Sequence, residues 1–171
     1  FTYGPFFNTG VKAQYTSGKF TFMAGVSNPT DFKTTIEAGS SQKTFIGQLG
    51  YVGDTGSAYF NVTSGSSNPA SDENKTQFDF VGSKKVSDSF SLGFNGTYAM
   101  TNNDFDSSLD GEWFSLVGYA NFALKESLSL AYRLEYLDAK DATAGLGSLA
   151  GTSVVGNTLS LNYKVGNLTI I

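Results

Sequence analysis

The chain contains neither histidine nor cysteine. Without cysteine there is no disulfide framework, no thiolate nucleophile and no thiolate metal site. Without histidine the usual general base and the commonest zinc ligand are missing too. A lipase or protease built on a Ser–His or Asp–His pair has no base in these residues. The chain therefore reads as a non-enzyme, and no cofactor and no metal are expected. Charge is scarce: Asp, Glu, Lys and Arg make up 15 % of the 171 residues, against roughly 25 % in an ordinary soluble domain. The net charge is −4, which argues against nucleic acid as a partner. No apolar run approaches the ~18 residues of a transmembrane helix, and no segment carries a helical period.

Alternation is present instead. Residues 128–137, LSLAYRLEYL, place Leu128, Leu130, Tyr132, Leu134 and Tyr136 at every second position. Successive side chains of a strand point to opposite faces, so one face is an apolar ladder. The other carries Ser129, Ala131, Arg133 and Glu135. A helix, with its period of 3.6, would scatter both sets. The length matches the ~9–11 residues a tilted strand needs to cross a bilayer. Leu130 falls on the apolar ladder and is expected near mid-membrane, where an arginine is costly.

The same pattern repeats along the chain. Val11, Ala13 and Tyr15 oppose Lys12 and Gln14 over 9–15. Phe20, Phe22, Ala24 and Val26 oppose Thr21, Met23, Gly25 and Ser27 over 20–27. Phe45, Leu49 and Tyr51 mark a strand over 44–51, with Gln48 between them. Ala58, Phe60 and Val62 oppose Tyr59, Asn61 and Thr63 over 58–64. Phe78 and Phe80 oppose Asp79 and Val81 over 76–83. Over 90–100, Phe90, Leu92, Phe94, Tyr98 and Met100 face away from Ser91, Gly93, Asn95, Thr97 and Ala99. Over 153–165, Leu159, Leu161 and Tyr163 oppose Ser160, Asn162 and Lys164, and a tenth strand begins at Leu168. Residues 112–123 are a strand of undetermined phase, because Trp113, Phe114, Val117, Tyr119 and Phe122 fall on both faces.

Tight turns near 18, 54, 87, 126 and 166 alternate with polar loops at 28–42, 65–75, 101–111 and 138–152. Outer-membrane barrels sort their connections in this way, short on the periplasmic side and longer outside. Aromatics gather at strand ends, as the girdles of such a barrel require. Tyr15, Phe20, Tyr51, Phe90, Phe122 and Tyr163 lie by the short turns. Phe45, Phe78, Tyr98, Trp113 and Tyr136 lie toward the long loops. The fold class is thus all-β, an antiparallel up-and-down transmembrane β-barrel with nine to ten strands in this stretch and a single domain over 1–171. The chain opens on Phe1-Thr2-Tyr3-Gly4-Pro5 and stops on Leu168-Thr169-Ile170-Ile171. From these ends we expect a partial barrel, completed by residues of a longer chain or by a partner.

Several stretches resemble the OmpL-like family of bacterial β-barrel porins. They are Pro5-Phe6-Phe7-Asn8-Thr9-Gly10-Val11-Lys12-Ala13, Gly25-Val26-Ser27-Asn28, Lys43-Thr44-Phe45-Ile46-Gly47-Gln48-Leu49-Gly50-Tyr51 and Tyr132-Arg133-Leu134-Glu135-Tyr136-Leu137-Asp138. The resemblance spans the chain but is diffuse, and its motifs are structural. It implies a pore in the outer membrane of a Gram-negative bacterium, and it brings no catalytic residue with it.

The residues that carry function are then those of the polar face. Lys12, Gln14, Gln48, Asn61, Asp79, Asn95, Thr97, Arg133, Glu135, Ser160 and Asn162 are expected to line the pore, with Thr21 and Thr63 beside them. They are hydroxyls, amides and sparse charges of both signs, which let a solute enter without holding it. A ligand-specific barrel would gather apolar groups inside. Arg133 and Glu135 serve either as a selective pair of charges or as an ion pair that stiffens the wall. Asp104, Asp106 and Asp110 present oxygen ligands for calcium. Their spacing lacks the glycine and bidentate glutamate of an EF-hand, which favours a solvated loop. The expected partners are outer-membrane lipid and small hydrophilic solutes crossing by passive diffusion. The alternatives are an accessory or structural barrel subunit with partner chains in an envelope complex, and a soluble all-β adhesin.

Overall fold

The computed structural model describes residues 7–29, 42–68, 73–104, 106–141, 149–166 and 168–170. They form ten strands and one short 3-10 turn: β1 (Gly10–Ser17), β2 (Phe20–Ser27), β3 (Thr44–Val52), β4 (Gly56–Asn68), β5 (Glu73–Lys85), β6 (Phe90–Asn103), the turn (Ser107–Leu109), β7 (Gly111–Lys125), β8 (Leu128–Asp138), β9 (Ser153–Val165) and β10 (Leu168–Ile170). All ten lie in one sheet in sequence order, each antiparallel to the next. This is the up-and-down meander that alternation and hairpin spacing dictate. Among the described residues β1 pairs only with β2 and β10 only with β9. None of their helices is long and apolar enough to cross a membrane.

The short turns stand where glycine and polar residues put them. Gly18 and Gly166 both adopt φ +58°, a left-handed conformation open to a residue without Cβ, and each directs a strand straight back on its predecessor. The loops at 65–75 and 101–111 are shorter than the sequence suggested. Pairing of β4 with β5 continues to Asn68 and Glu73, and pairing of β5 with β6 continues to Glu73 and Asn103. Ser, Thr and Asn give no apolar alternation there, yet their backbones still complete the ladder. Residues 1–6 lie outside the described residues, as does most of the loop at 28–42.

Register puts the apolar ladders of successive strands on one side. Direct partners share a face in an antiparallel pair, and following them from β1 to β9 never crosses over. Phe20 meets Tyr51, Leu49 meets Phe60, Phe60 meets Phe80, Phe94 meets Gly118, Gly118 meets Leu134 and Tyr132 meets Leu159. Leu92, Phe94, Leu134, Leu159 and Leu161 are all exposed. Phe90, Leu128 and Leu130 are only half exposed, because Phe90 stacks on Phe122 at 4.6 Å and Leu130 pairs with Phe122. Leu130 therefore sits in the row of rings nearest the short turns rather than at mid-sheet. Leu134, opposite Gly118, takes the central place.

The register also settles β7. Phe114, Leu116, Gly118, Ala120 and Phe122 join the apolar face, whereas Trp113, Ser115, Val117, Tyr119 and Asn121 join the polar one. Trp113 is consequently not part of an aromatic girdle. It is 7 % exposed and packs with Ala99 and Ala139, flanked by Leu137, Leu149 and Ala150. The chain after β8 folds over it, tied by Ala139 N–H to Thr152 O at 2.9 Å and by Glu112 N–H to Asp141 O at 3.0 Å. This cluster lies at the long-loop end of the polar face.

The polar face as candidate functional site

One row of the sheet runs across six strands through Gln14, Met23, Gln48, Asn61, Asp79 and Thr97. Their side chains stand on the polar face because each is the direct partner of the last. Four of them join in a ladder of hydrogen bonds. Gln48 Nε2 donates to Asn61 Oδ1 at 2.7 Å. Asn61 Nδ2 donates to Asp79 Oδ2 at 3.2 Å. Thr97 Oγ1 and Asn95 Nδ2 both donate to Asp79 Oδ1, each at 2.7 Å. Asp79 is half-buried, and three donors from β4 and β6 hold its carboxylate. A charged acceptor makes such bonds stronger than neutral ones, so Asp79 is the keystone of this part of the wall.

Across β7 stands the second charged feature. Arg133 Nη2 donates to Glu135 Oε2, two residues along β8 on the same face. Their side chains keep 31 % and 37 % of their surface accessible, so the pair faces the space above the sheet. Arg133 Nε finds no acceptor among the described residues. Glu135 lies over Gly156 of β9, its direct partner.

The remaining residues of the expected set share this face without joining either feature. Lys12 pairs with Gly25, Thr21 with Gly50, and Thr63 with Ile46. Ser160 pairs with Ala131 and Asn162 with Ser129. A groove of about 500 Å³ opens on the same face toward the short turns, lined by Val81, Ser83, Lys85, Ser91, Tyr119 and Asn121 among others. The sequence reading missed Tyr119 and Trp113 as residues of this face, because their strand alternates large residues on both sides.

The acidic loop is organised by itself. Asp106 caps the 3-10 turn, accepting from Ser108 N–H at 3.0 Å and from its hydroxyl at 2.6 Å. These bonds hold its carboxyl below the ordinary aspartate value. Asp110 Oδ1 accepts from Asn103 N–H at 2.7 Å. Among the described residues no group of three or more acidic side chains could hold a metal ion.

A single antiparallel up-and-down sheet, apolar and exposed on one face and hydrogen-bonded and polar on the other, is the wall of a transmembrane β-barrel. The family model described as "Putative beta-barrel porin-2, OmpL-like" matches residues 1–171, and the chain belongs to that family. No curated protein and no solved structure matches it. Membership supports a porin-like role and implies the outer membrane as its place.

Proposed function

We propose that this chain walls a water-filled pore through which small hydrophilic solutes and ions diffuse passively across the bacterial outer membrane. The observation that carries the reading is the polar face. Amides, hydroxyls and sparse charges of both signs recur on it from β1 to β9, interspersed with a few apolar residues such as Met23 and Val117. The Asp79 ladder and the Arg133–Glu135 pair lie at its centre. Lys12, Gln14, Gln48, Asn61, Asp79, Asn95, Thr97, Arg133, Glu135, Ser160 and Asn162 are its lining residues. Any ring that contains these ten strands is wider than the barrels of about eight strands whose interiors side chains fill. Polar groups already paired with one another offer a passing solute weak, replaceable contacts, which permits entry without capture. The apolar face supplies the lipid contact.

Planar-bilayer recording of the full chain tests this. Ohmic channels are expected, with ion selectivity displaced in opposite directions by Arg133→Ala and Glu135→Ala. A folded, closed barrel that carries no current would overturn the pore and leave a structural or accessory subunit, bound to other chains in an envelope complex.

A further inference from the structure

Two adjacent rows of the polar face carry bulky side chains in an unusual setting. One row passes through Gly50, Tyr59, Val117, Glu135 and Gly156, and the next through Gly93, Tyr119 and Arg133. In three places a bulky residue has a glycine as its direct partner on the neighbouring strand: Tyr59 opposite Gly50, Tyr119 opposite Gly93, and Glu135 opposite Gly156. Each occupies the space that the glycine leaves empty. A Cβ at Gly50 would lie 3.0 Å from Tyr59 Cδ1 and Cε1. At Gly93 it would lie 3.3 Å from Tyr119 Cδ2, and at Gly156 2.5 Å from Glu135 Oε1. These contacts are closer than a real Cβ ordinarily makes: a side chain at Gly156 must displace the Glu135 carboxylate, and one at Gly50 or Gly93 presses its ring back by at least a few tenths of an ångström.

Strand side chains ordinarily stand away from the sheet. Here the two rings and the carboxylate lie across the adjacent strand instead. Glycine weakens a strand interior and marks a close approach, and the approach at these positions is by side chains of the polar face. We propose that Gly50, Gly93 and Gly156 are positioning residues that hold Tyr59, Tyr119 and Glu135 flat against the wall, and thereby set the bore and the charge geometry of the lumen. The consequence for the lumen rests on the pore reading above; the seating itself does not. At Gly156 the effect is electrostatic. Glu135 Oε1 rests over the glycine while Oε2 accepts from Arg133. A methyl group at 156 displaces the carboxylate from its seat and parts the pair, which leaves a negative charge projecting from the wall.

The test uses the full chain folded in lipid, with folding checked by circular dichroism. Nitration by tetranitromethane, read at Tyr119 by peptide mass spectrometry, should rise in Gly93→Val. It should stay at the wild-type level in Gly118→Val, where the added Cβ points to the opposite face and meets nothing within 4 Å. In bilayers Gly93→Val should lower the unitary conductance and Gly93→Val with Tyr119→Ser should restore it, whereas Gly156→Ala should shift the reversal potential toward cation selectivity. If Gly93→Val does not fold, Gly93→Ala carries the same nitration and conductance readouts. Equal nitration of Tyr119 in wild type, the Gly93 variant and Gly118→Val overturns the seating. Raised nitration without current through any variant, wild type included, supports the seating and overturns the pore.

Discussion

The two faces of this sheet share one backbone and one register, and they are held in opposite ways. On the apolar face the contacts are between rings. Phe20 meets Tyr51 at 5.2 Å and Phe90 meets Phe122 at 4.6 Å, both as direct partners, while Phe60–Phe78, Phe80–Phe94 and Phe114–Tyr136 meet diagonally at 5.8 to 6.1 Å. Such contacts need only apolar surface of about the right size, and lipid tails supply the same kind of contact. On the polar face the contacts are directional. Asp79 takes three donors from two strands, and moving any of them by one residue would turn it to the other side. The lesson is that the apolar face fixes where the sheet lies, whereas the polar face fixes how its strands align. The two should therefore respond differently to substitution.

The largest difference is expected from a charge. Leu134→Arg, at mid-sheet on the apolar face, should destabilise the folded state by about 2–4 kcal/mol in a reversible folding assay into lipid vesicles. Leu130→Arg, in the row of Phe90 and Phe122, should cost about 0–1 kcal/mol, because the charge reaches the interface there. Ser160→Arg, on the polar face, should cost less than Leu134→Arg. Equal costs at 134 and 160 would break the assignment of faces. The next effect tests the polar face itself. Asp79→Ala removes one acceptor from Asn61, Asn95 and Thr97 together, and should cost about 1–3 kcal/mol in the same assay. Its cost should not add to that of Asn95→Ala, since both remove the Asn95–Asp79 bond of a shared network. Additive costs would show that water replaces the carboxylate freely and that the ladder is not a unit.

Much of this was legible from residue order alone. A period of two is hard to mistake where one face is apolar, so the phases of β1 to β6, β8 and β9 follow from the sequence, and β9 keeps the bounds 153–165. β7 was not legible. Trp113 and Val117 are buried apolar residues on the polar face. Trp113 is covered by Ala99, Ala139 and Leu149 from other parts of the chain, and nothing in the order of 112–123 announces that cover. The ends of β4, β5 and β6 were underestimated, because hydroxyl and amide residues beyond the apolar ladder still pair. Each residue of the Asp79 ladder was readable as polar-facing. Their meeting was not, because it depends on the register between strands. The glycine seats were invisible for the same reason: Gly93 and Tyr119 are adjacent only through the pairing of β6 with β7.

The smallest expected effect lies at the rim, where the comparison between faces ends. Lys85 closes β5 on the polar face, and its Nζ reaches Asp88 Oδ1 in the short turn at 2.6 Å. The hydrogen bond from Lys85, and then its charge, hold the Asp88 carboxyl below its ordinary value of 3.8. Asp88 is fully exposed, so solvent screens the pair and its contribution to stability is slight. A depressed carboxyl stabilises the fold at pH above its unfolded value and loses that contribution as pH falls through the lower folded value. Asp88→Asn should therefore leave stability at neutral pH nearly unchanged. Any difference from wild type should disappear on acidification below the ordinary aspartate range, and it should shrink in high salt. A large loss at neutral pH would mean that Asp88 does more than tether Lys85. It would place a structural demand on a short turn that the two faces, as described, do not require.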